Sequence, residues 1–261
     1  MELDIYQIDA FANTLFSGNP AAIIPLEAWI DDSTMQKIAA ENNLSETAFV
    51  VKSDDKYHIR WMTPKVEVDL CGHATLAAAH CLYQHLGETR KKLVFHSRSG
   101  PLLITKETVG YLMDFPVDLP RKSLNDVEKI RLLCPTSKEP HLRGKDDYLV
   151  ILQSEEEIRN FKPDLPLISK LQARGLIISA PGQHCDFVSR CFYPAFGIAE
   201  DPVTGSAHTL LAPFWNQRMG KAELSAQQLS SRSGELTCRI IDDRVYLYGR
   251  AVTYLVGKIY I

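Results

Sequence analysis

Two glycine-led stretches, one in each half of the chain, most constrain what this sequence can fold into. The first reads VDLCGHAT at residues 68–75, and the second reads DPVTGSAH at residues 201–208. Their repetition about half a chain apart predicts two related halves. Aligning the two glycines pairs the following residues: Gly72 with Gly205, Cys71 with Thr204, and His73 with Ser206.

Each glycine precedes an apolar pattern that is typical of a buried helix. After Gly72 the pattern is apolar on nearly every side until Gly87, which indicates a helix enclosed on all sides. A helix start carries unpaired backbone N–H groups and the positive end of the helix dipole, and both favour an anion. Two such helix starts, if they face each other, would hold one small acid.

Composition and charge exclude several classes of function. The 261 residues are 45% hydrophobic and 23% charged, and no segment approaches the roughly 20 apolar residues of a membrane helix. The net charge is −3 with scattered basic residues, which argues against nucleic acid and anionic lipid as partners. The acidic start MELDI lacks the features of a signal peptide, so we expect a cytoplasmic protein that acts on a small molecule.

The six cysteines do not form a metal-binding pattern. They include no C-x-x-C pair, and in a reducing cytosol we expect free thiols that are mostly buried. The run His184, Cys185, Asp186 offers three ligand types, but neighbouring residues on a strand point to opposite faces. We therefore expect no metal.

Strand-like runs surround each helical pattern and indicate an α+β fold rather than regular βαβ alternation. Glu46 stands at the entrance of a β-type run, residues 44–51. The pattern also predicts helices at 33–42 and 165–174, a helical turn at 225–229, and a long, buried last strand at 252–261. No Rossmann or P-loop glycine pattern is present, so no nucleotide cofactor is expected.

A domain boundary is expected near residues 116–120, where prolines flank a segment with little to bury. This divides the chain into domains 1–116 and 117–261. Whether the last strand returns to the first domain is left open.

Several motifs in the same order resemble the PhzF-like phenazine biosynthesis family, which is related to the diaminopimelate epimerases and proline racemases. The motifs extend over almost the whole chain: DAF at 9–11, SGNPA at 17–21, LSETAF at 44–49, GHAT at 72–75, DFVSR at 186–190, and GIAEDPVTGSA at 197–207. The resemblance implies two similar domains, each a curled, mostly antiparallel sheet around a central helix. It also implies a homodimer and an active site in the cleft between the domains.

The resemblance assigns the acid/base role to Glu46. In the epimerase branch, paired cysteines precede the two helices, whereas here the second position is Thr204, whose hydroxyl is too weak an acid to replace a thiolate. By motif position, His73 and Asp201 would join Glu46 in catalysis. The expected substrate-binding residues are Gly72, Gly205, Ser206, Cys71 and Thr204.

We therefore predict a cofactor-independent isomerase that moves a proton on a small carboxylic acid. One alternative is an epimerase or dehydratase that uses Cys71 as its base, and another is a binding protein on the same scaffold. Simpler roles also remain open for these residues: a surface carboxylate for Glu46, a structural imidazole for His73, and a helix cap for Ser206. His208 and Arg232 rank below them as site residues.

Overall fold

The polypeptide builds one folding unit, leaves it for a second, and returns to the first with its last strand. A computed structural model describes residues 1–261. The first unit comprises Met1–Asp114 and Tyr248–Ile261, and the second comprises Phe115–Leu247. None of the helices has both the length and the apolar character that a membrane crossing requires.

The structure contains eighteen strands, six α-helices and one 3₁₀ turn. The strands are β1 (Glu2–Ala10), β2 (Asn19–Leu26), β3 (Glu46–Ser53), β4 (Lys56–Met62), β5 (Glu67–Val68), β6 (Lys92–Ser97), β7 (Gly100–Lys106), β8 (Tyr111–Pro116), β9 (Arg121–Lys122), β10 (Leu142–Arg143), β11 (Tyr148–Ile151), β12 (Leu176–Pro181), β13 (Phe187–Tyr193), β14 (Ile198–Asp201), β15 (Glu223–Gln228), β16 (Gly234–Ile241), β17 (Arg244–Gly249) and β18 (Ala251–Tyr260). The helices are α1 (Asp32–Asn42), α2 (Gly72–His85), α3 (Val127–Leu133), α4 (Glu155–Asn160), α5 (Leu165–Ile168) and α6 (Gly205–Met219), with the 3₁₀ turn at Pro194–Phe196.

The first unit is a curled sheet around α2. Its strand order is β18-β1-β2-β3-β4-β6-β7-β8, in which β2–β3 and β4–β6 are parallel and the other neighbours are antiparallel. The short β5 pairs with β4 just before α2. Helix α2 contacts strands along much of this sheet, including β1, β2, β3, β7 and β18. This enclosure explains why α2 is apolar on nearly every side.

The second unit repeats this strand order around α6. Its order is β9-β10-β11-β12-β13-β15-β16, in which β11–β12 and β13–β15 are parallel and the other neighbours are antiparallel. The short β14 pairs with β13 just before α6, as β5 does before α2. The expected α+β fold of two similar domains is thus confirmed.

The two matching ladders also define which residues are topological counterparts. The pair Trp61 and Val68 joins β4 to β5, and the pair Cys191 and Asp201 joins β13 to β14 at the same distance before the helix. Asp201 is therefore the counterpart of Val68, which is apolar. The acid of the second unit has no acidic counterpart in the first.

The same comparison applies to Glu46. Ala48 pairs with Trp61 across β3 and β4, and Ile177 pairs with Cys191 across β12 and β13. Glu46 lies two residues before Ala48, and Gly175 lies two residues before Ile177. The counterpart of the predicted acid/base is therefore a glycine.

Hydrophobic clusters anchor the remaining helices to the outer faces of the sheets. In the first unit, Met35 and Ile38 of α1 pack with Ile24 and Phe49. The second unit has a larger cluster that includes Ile158 of α4 together with strand residues of β11, β12 and β13. Both sheets are thus covered where they would otherwise expose apolar side chains to water.

Three local predictions were wrong. Residues 223–228 form β15 rather than a helical turn, because alternate side chains are buried and β13 and β16 pair on either side. The helix expected over 165–174 ends at Ile168. The last strand was expected to be buried, but Tyr254, Val256 and Tyr260 of β18 are exposed.

Candidate active site

The predicted acid/base of the first unit lies against the start of the central helix. Glu46 is the first residue of β3, Cys71 is the N-cap residue of α2, and His73 is the second residue of that helix. The strand and the helix start bring the three side chains together, and all three residues are buried. We call Glu46, Cys71 and His73 the acid–thiol–imidazole group.

His73 stands between the other two side chains of this group. Its Nε2 lies 3.1 Å from Glu46 Oε2, and its Nδ1 lies 3.5 Å from Cys71 Sγ. The carboxylate oxygen and the ring nitrogen are close enough for an ion pair, yet Oε2 makes no hydrogen bond of acceptable geometry. Each residue presents one atom able to bind a metal, and these atoms lie within 4.8 Å of one another.

Asn19 contacts the other side of the imidazole and was missed as a site residue. It is the first residue of β2, it is buried, and its Nδ2 lies 3.2 Å from His73 Nδ1. An amide that donates to Nδ1 leaves the proton of a neutral imidazole on Nε2, which faces Glu46. In the sequence, Asn19 lies in a turn and within the family motif SGNPA at 17–21, but neither feature indicated a contact with His73.

Burial and charge determine the protonation states in this group. Burial raises the pKa of the Cys71 thiol to about 11, and the negative charge of Glu46 acts in the same direction. For His73, burial by itself disfavours the imidazolium, but the negative charges available on Cys71 and Glu46 outweigh burial and raise its pKa well above the ordinary value. At neutral pH the Cys71 thiol is therefore neutral, and Glu46 supplies the negative charge that favours a protonated imidazole. A protonated imidazole donates from both nitrogens, so the Asn19 amide then turns its oxygen toward Nδ1.

The predicted residues of the second unit form a different kind of group at the start of α6. Thr204 is the N-cap residue of α6, and its hydroxyl donates to Asp201 Oδ2 at 2.5 Å. The side-chain amide of Gln228 accepts from the Thr204 backbone N–H at 2.9 Å and donates to the Asp201 carbonyl at 2.6 Å. Thr204 thus holds the Asp201 carboxylate in place, and it has no thiol chemistry to offer.

Ser206 is held by an arginine that sequence reasoning did not identify. Arg174 Nη2 donates to Ser206 Oγ at 3.1 Å, and the same guanidinium makes a two-point ion pair with the buried Asp147. The guanidinium also lies over the Tyr193 ring, 5.0 Å from its centroid. A positive charge therefore stands at the start of α6, where Gly205 is the first helical residue, just as Gly72 is in α2.

His208 has a structural role rather than a chemical one. Its Nδ1 donates to the Thr204 carbonyl at 2.8 Å, which is a helical back-bond, and its ring is fully buried. Burial lowers the pKa of His208 to about 4, so the imidazole is neutral at neutral pH. This agrees with its low rank among the residues considered from sequence.

Comparison with known proteins identifies the family. The model of the PhzC-PhzF family, described as phenazine biosynthesis-like protein, matches residues 8–257. The chain belongs to the PhzC-PhzF family. A Pseudomonas aeruginosa protein named an uncharacterized isomerase is 48% identical over 261 residues, and the match covers 99% of each chain.

Solved structures agree with this membership of the PhzC-PhzF family. The crystal structure of a PhzF-family phenazine biosynthesis protein from Enterococcus faecalis superposes with a TM-score of 0.96 at 42% identity, covering 100% of both chains. A probable proline racemase from Agrobacterium radiobacter has a TM-score of 0.63 at 8% identity, covering 99% of this chain and 93% of that one, so it shares the fold alone. The names of the close relatives support an enzyme of isomerase type.

Proposed function

We propose that this protein is a cofactor-independent isomerase that moves a proton on a small carboxylic acid, with Glu46 as the acid/base. One observation carries the proposal: the Glu46 carboxylate is buried 3.1 Å from His73 at the start of an enclosed helix. A buried carboxylate beside an imidazole is the arrangement that can remove a proton from carbon and return it. Names of relatives support isomerase chemistry but do not assign these roles.

The proposed proton shift uses the acid–thiol–imidazole group. A Glu46 oxygen takes the proton from a substrate carbon, and the electrons of the broken C–H bond move into the adjacent unsaturated system. The same carboxyl group then returns the proton to another carbon, so no atom is gained or lost. His73, as imidazolium, stabilises the negative charge that develops on the substrate. The N–H groups at the start of α2, with Gly72 first, are suited to the substrate carboxylate.

The residues at the start of α6 are proposed to bind the substrate rather than to transfer the proton. The Asp201 carboxylate, oriented by Thr204, is suited to a substrate hydroxyl or amine. Ser206 with Gly205 is suited to an acidic group, and Arg174 adds positive charge to that position. These roles add one residue, Arg174, to the substrate-binding residues expected from the sequence.

Replacing Glu46 with glutamine tests the proposal even while the natural substrate is unidentified. Small unsaturated and hydroxylated carboxylic acids are incubated with the protein in D₂O, and deuterium incorporation at carbon is followed by mass spectrometry. E46Q should lower the exchange rate about 10²–10⁴-fold, the usual contribution of a general acid/base. Glu41→Gln is the matched control, because Glu41 is an exposed residue of α1. Exchange by E46Q at the wild-type rate would reject Glu46 as the base.

A second candidate is thiol chemistry at Cys71, which one contact favours. His73 Nδ1 lies 3.5 Å from Cys71 Sγ, so the imidazole in its neutral form could accept the thiol proton. The raised pKa of Cys71, about 11, weighs against a thiolate in the resting state. C71A distinguishes the candidates: exchange persists if Glu46 is the base and is lost if Cys71 is.

A further inference from the structure

The acid–thiol–imidazole group has the composition of a zinc site. A carboxylate oxygen, a thiol sulfur and an imidazole nitrogen are all Zn²⁺ ligands, and here they come from Glu46, Cys71 and His73. Mg²⁺ and Ca²⁺ require oxygen ligands, so a thiol and an imidazole select against them. This set was not recognisable in the sequence, because its three members are not spaced as any metal motif.

The distances within the group fit a tetrahedral ion. With Zn–N and Zn–O at about 2.0–2.1 Å and Zn–S at about 2.3 Å, the tetrahedral edges are about 3.3 Å for N–O and about 3.6 Å for N–S. The observed separations are 3.1 Å from His73 Nε2 to Glu46 Oε2 and 4.0 Å from Nε2 to Cys71 Sγ. The N–O pair needs a shift of about 0.2 Å and the N–S pair a shift of about 0.4 Å, while the third pair, the Glu46 oxygen and Cys71 Sγ, lies within 4.8 Å.

An independent observation points to a positively charged ligand at this place. Glu46 Oε2 is buried and makes no hydrogen bond, although a ring nitrogen lies 3.1 Å away. A buried carboxylate oxygen without a donor is costly, and a cation bound to it would remove that cost. Once His73 is deprotonated, its Nε2 and the Glu46 oxygen are two close electron-pair donors that a metal ion could bridge, and the ion would replace the imidazolium as the positive partner of the carboxylate.

The remaining surroundings of His73 are compatible with metal binding through Nε2. Metal-bound imidazoles donate their other N–H to an oxygen, which fixes the ring. The Asn19 side-chain amide places its Nδ2 3.2 Å from Nδ1, and turning the amide over would bring its oxygen to this position as the acceptor. Three protein ligands leave a fourth position for water or for a carboxylate of a small acid.

We propose that Glu46 Oε2, Cys71 Sγ and His73 Nε2 bind one Zn²⁺ ion, and that the bound ion inhibits the enzyme. On binding, the S–H bond of Cys71 and the Nε2–H bond of the His73 imidazolium break, both protons pass to the buffer, and sulfur–zinc and nitrogen–zinc bonds form. The ion then occupies the oxygen lone pair that Glu46 needs to take a proton from carbon. Zinc binding does not depend on the proposed isomerase activity, whereas inhibition rests on it.

Binding of Zn²⁺ alone to the purified wild-type chain is the first measurement. Titration calorimetry should give one ion per chain, and Co²⁺ in place of Zn²⁺ should give a near-ultraviolet thiolate-to-cobalt absorption band. Cys71→Ser should abolish the band and weaken Zn²⁺ binding at least about tenfold, and E46Q should weaken it without abolishing the band. Cys185→Ser is the matched control, because Cys185 is a partly exposed free cysteine of the second unit.

Several results would overturn the proposal. They are a wild-type chain that binds no Zn²⁺, a cobalt band that persists in C71S, or a band that disappears in C185S. If C71S fails to fold, a second measurement replaces this variant. Alkylation of Cys71 in the wild-type chain is compared with and without added Zn²⁺ by peptide mass spectrometry. Absence of protection by Zn²⁺ rejects the site. Since these readouts use no substrate, they stand whether or not E46Q loses deuterium exchange.

Discussion

Replacing Gly175 with alanine should destabilise the second unit, because no space exists there for a Cβ atom. Gly175 is the topological counterpart of Glu46. A Cβ built on it would lie 2.2 Å from Tyr193 Cδ1 and 2.4 Å from the Phe192 carbonyl oxygen, whereas ordinary contact begins at 3.4 Å. A carboxylate at this position is therefore excluded by space, which gives a physical reason for the asymmetry between the two units.

The magnitude follows from what must move to relieve the overlap. Phe192 pairs with Leu176 in the β12–β13 ladder, so its carbonyl cannot shift by about 1 Å without weakening that ladder. Overpacking costs about 1–3 kcal/mol, and a lost backbone hydrogen bond adds about 1 kcal/mol. We expect G175A to lower the free energy of unfolding by about 2–4 kcal/mol. Displacement of the Tyr193 ring would also disturb the Arg174 guanidinium above it.

Thermal unfolding and hydrogen exchange measure the effect. For 150–250 residues, 1 kcal/mol corresponds to roughly 2–4 °C in Tm, so G175A should unfold roughly 4–16 °C lower. Amide exchange should accelerate in β12 and β13 first. Gly257→Ala is the matched control in β18, because its Cβ would meet nothing closer than 3.6 Å. An unchanged Tm for G175A, or an equal loss in G257A, would refute the steric reasoning.

Two further predictions concern buried charge. Burial holds the pKa of His208 near 4, below the ordinary 6.5, so the unfolded state binds more protons between these values, and stability is lost as pH falls from 6.5 to 4. The free energy of unfolding should fall by about 3 kcal/mol over this pH range. His208→Gln should remove this part of the pH dependence, which urea unfolding measures. Asp147→Asn, which breaks the ion pair with Arg174, should lower the free energy of unfolding by about 2 kcal/mol. The loss is smaller than for a fully buried pair because a third of the Arg174 side chain is exposed. Glu128→Gln, which removes an exposed ion pair with Arg131, should leave the free energy of unfolding unchanged. Equal losses of stability in D147N and E128Q would contradict this distinction between a buried and an exposed pair.

Local sequence patterns were sufficient for the elements that depend on local physics. The enclosed helix after Gly72 was predicted from its all-round apolar pattern, and α1 was predicted to within one residue of its observed start at Asp32. The repeat of Gly72 and Gly205 predicted two related halves. Residues 225–229 were misassigned because the pairing of β15 with β13 and β16, rather than local preference, decides their structure.

The candidate site was only partly predictable. Glu46 and His73 were singled out by family motifs, and the structure places them in contact. Asn19 and Arg174 were missed because Asn19 stands in a turn and Arg174 at the end of a predicted helix, and neither position indicates a contact with the site. Their importance arises only when a strand start is brought beside a helix start.

By itself, the sequence determined the family, the α+β class, the two related halves and the helix starts that could receive an acid. These depend on periodicity and on motifs, which act over a few residues. The tertiary structure alone decided that Glu46, Cys71 and His73 share one buried group, and that Gly175 leaves no room for a second acid. Those facts depend on which distant strands become neighbours, and parallel and antiparallel pairing across the sheet is set by the packing of the whole unit.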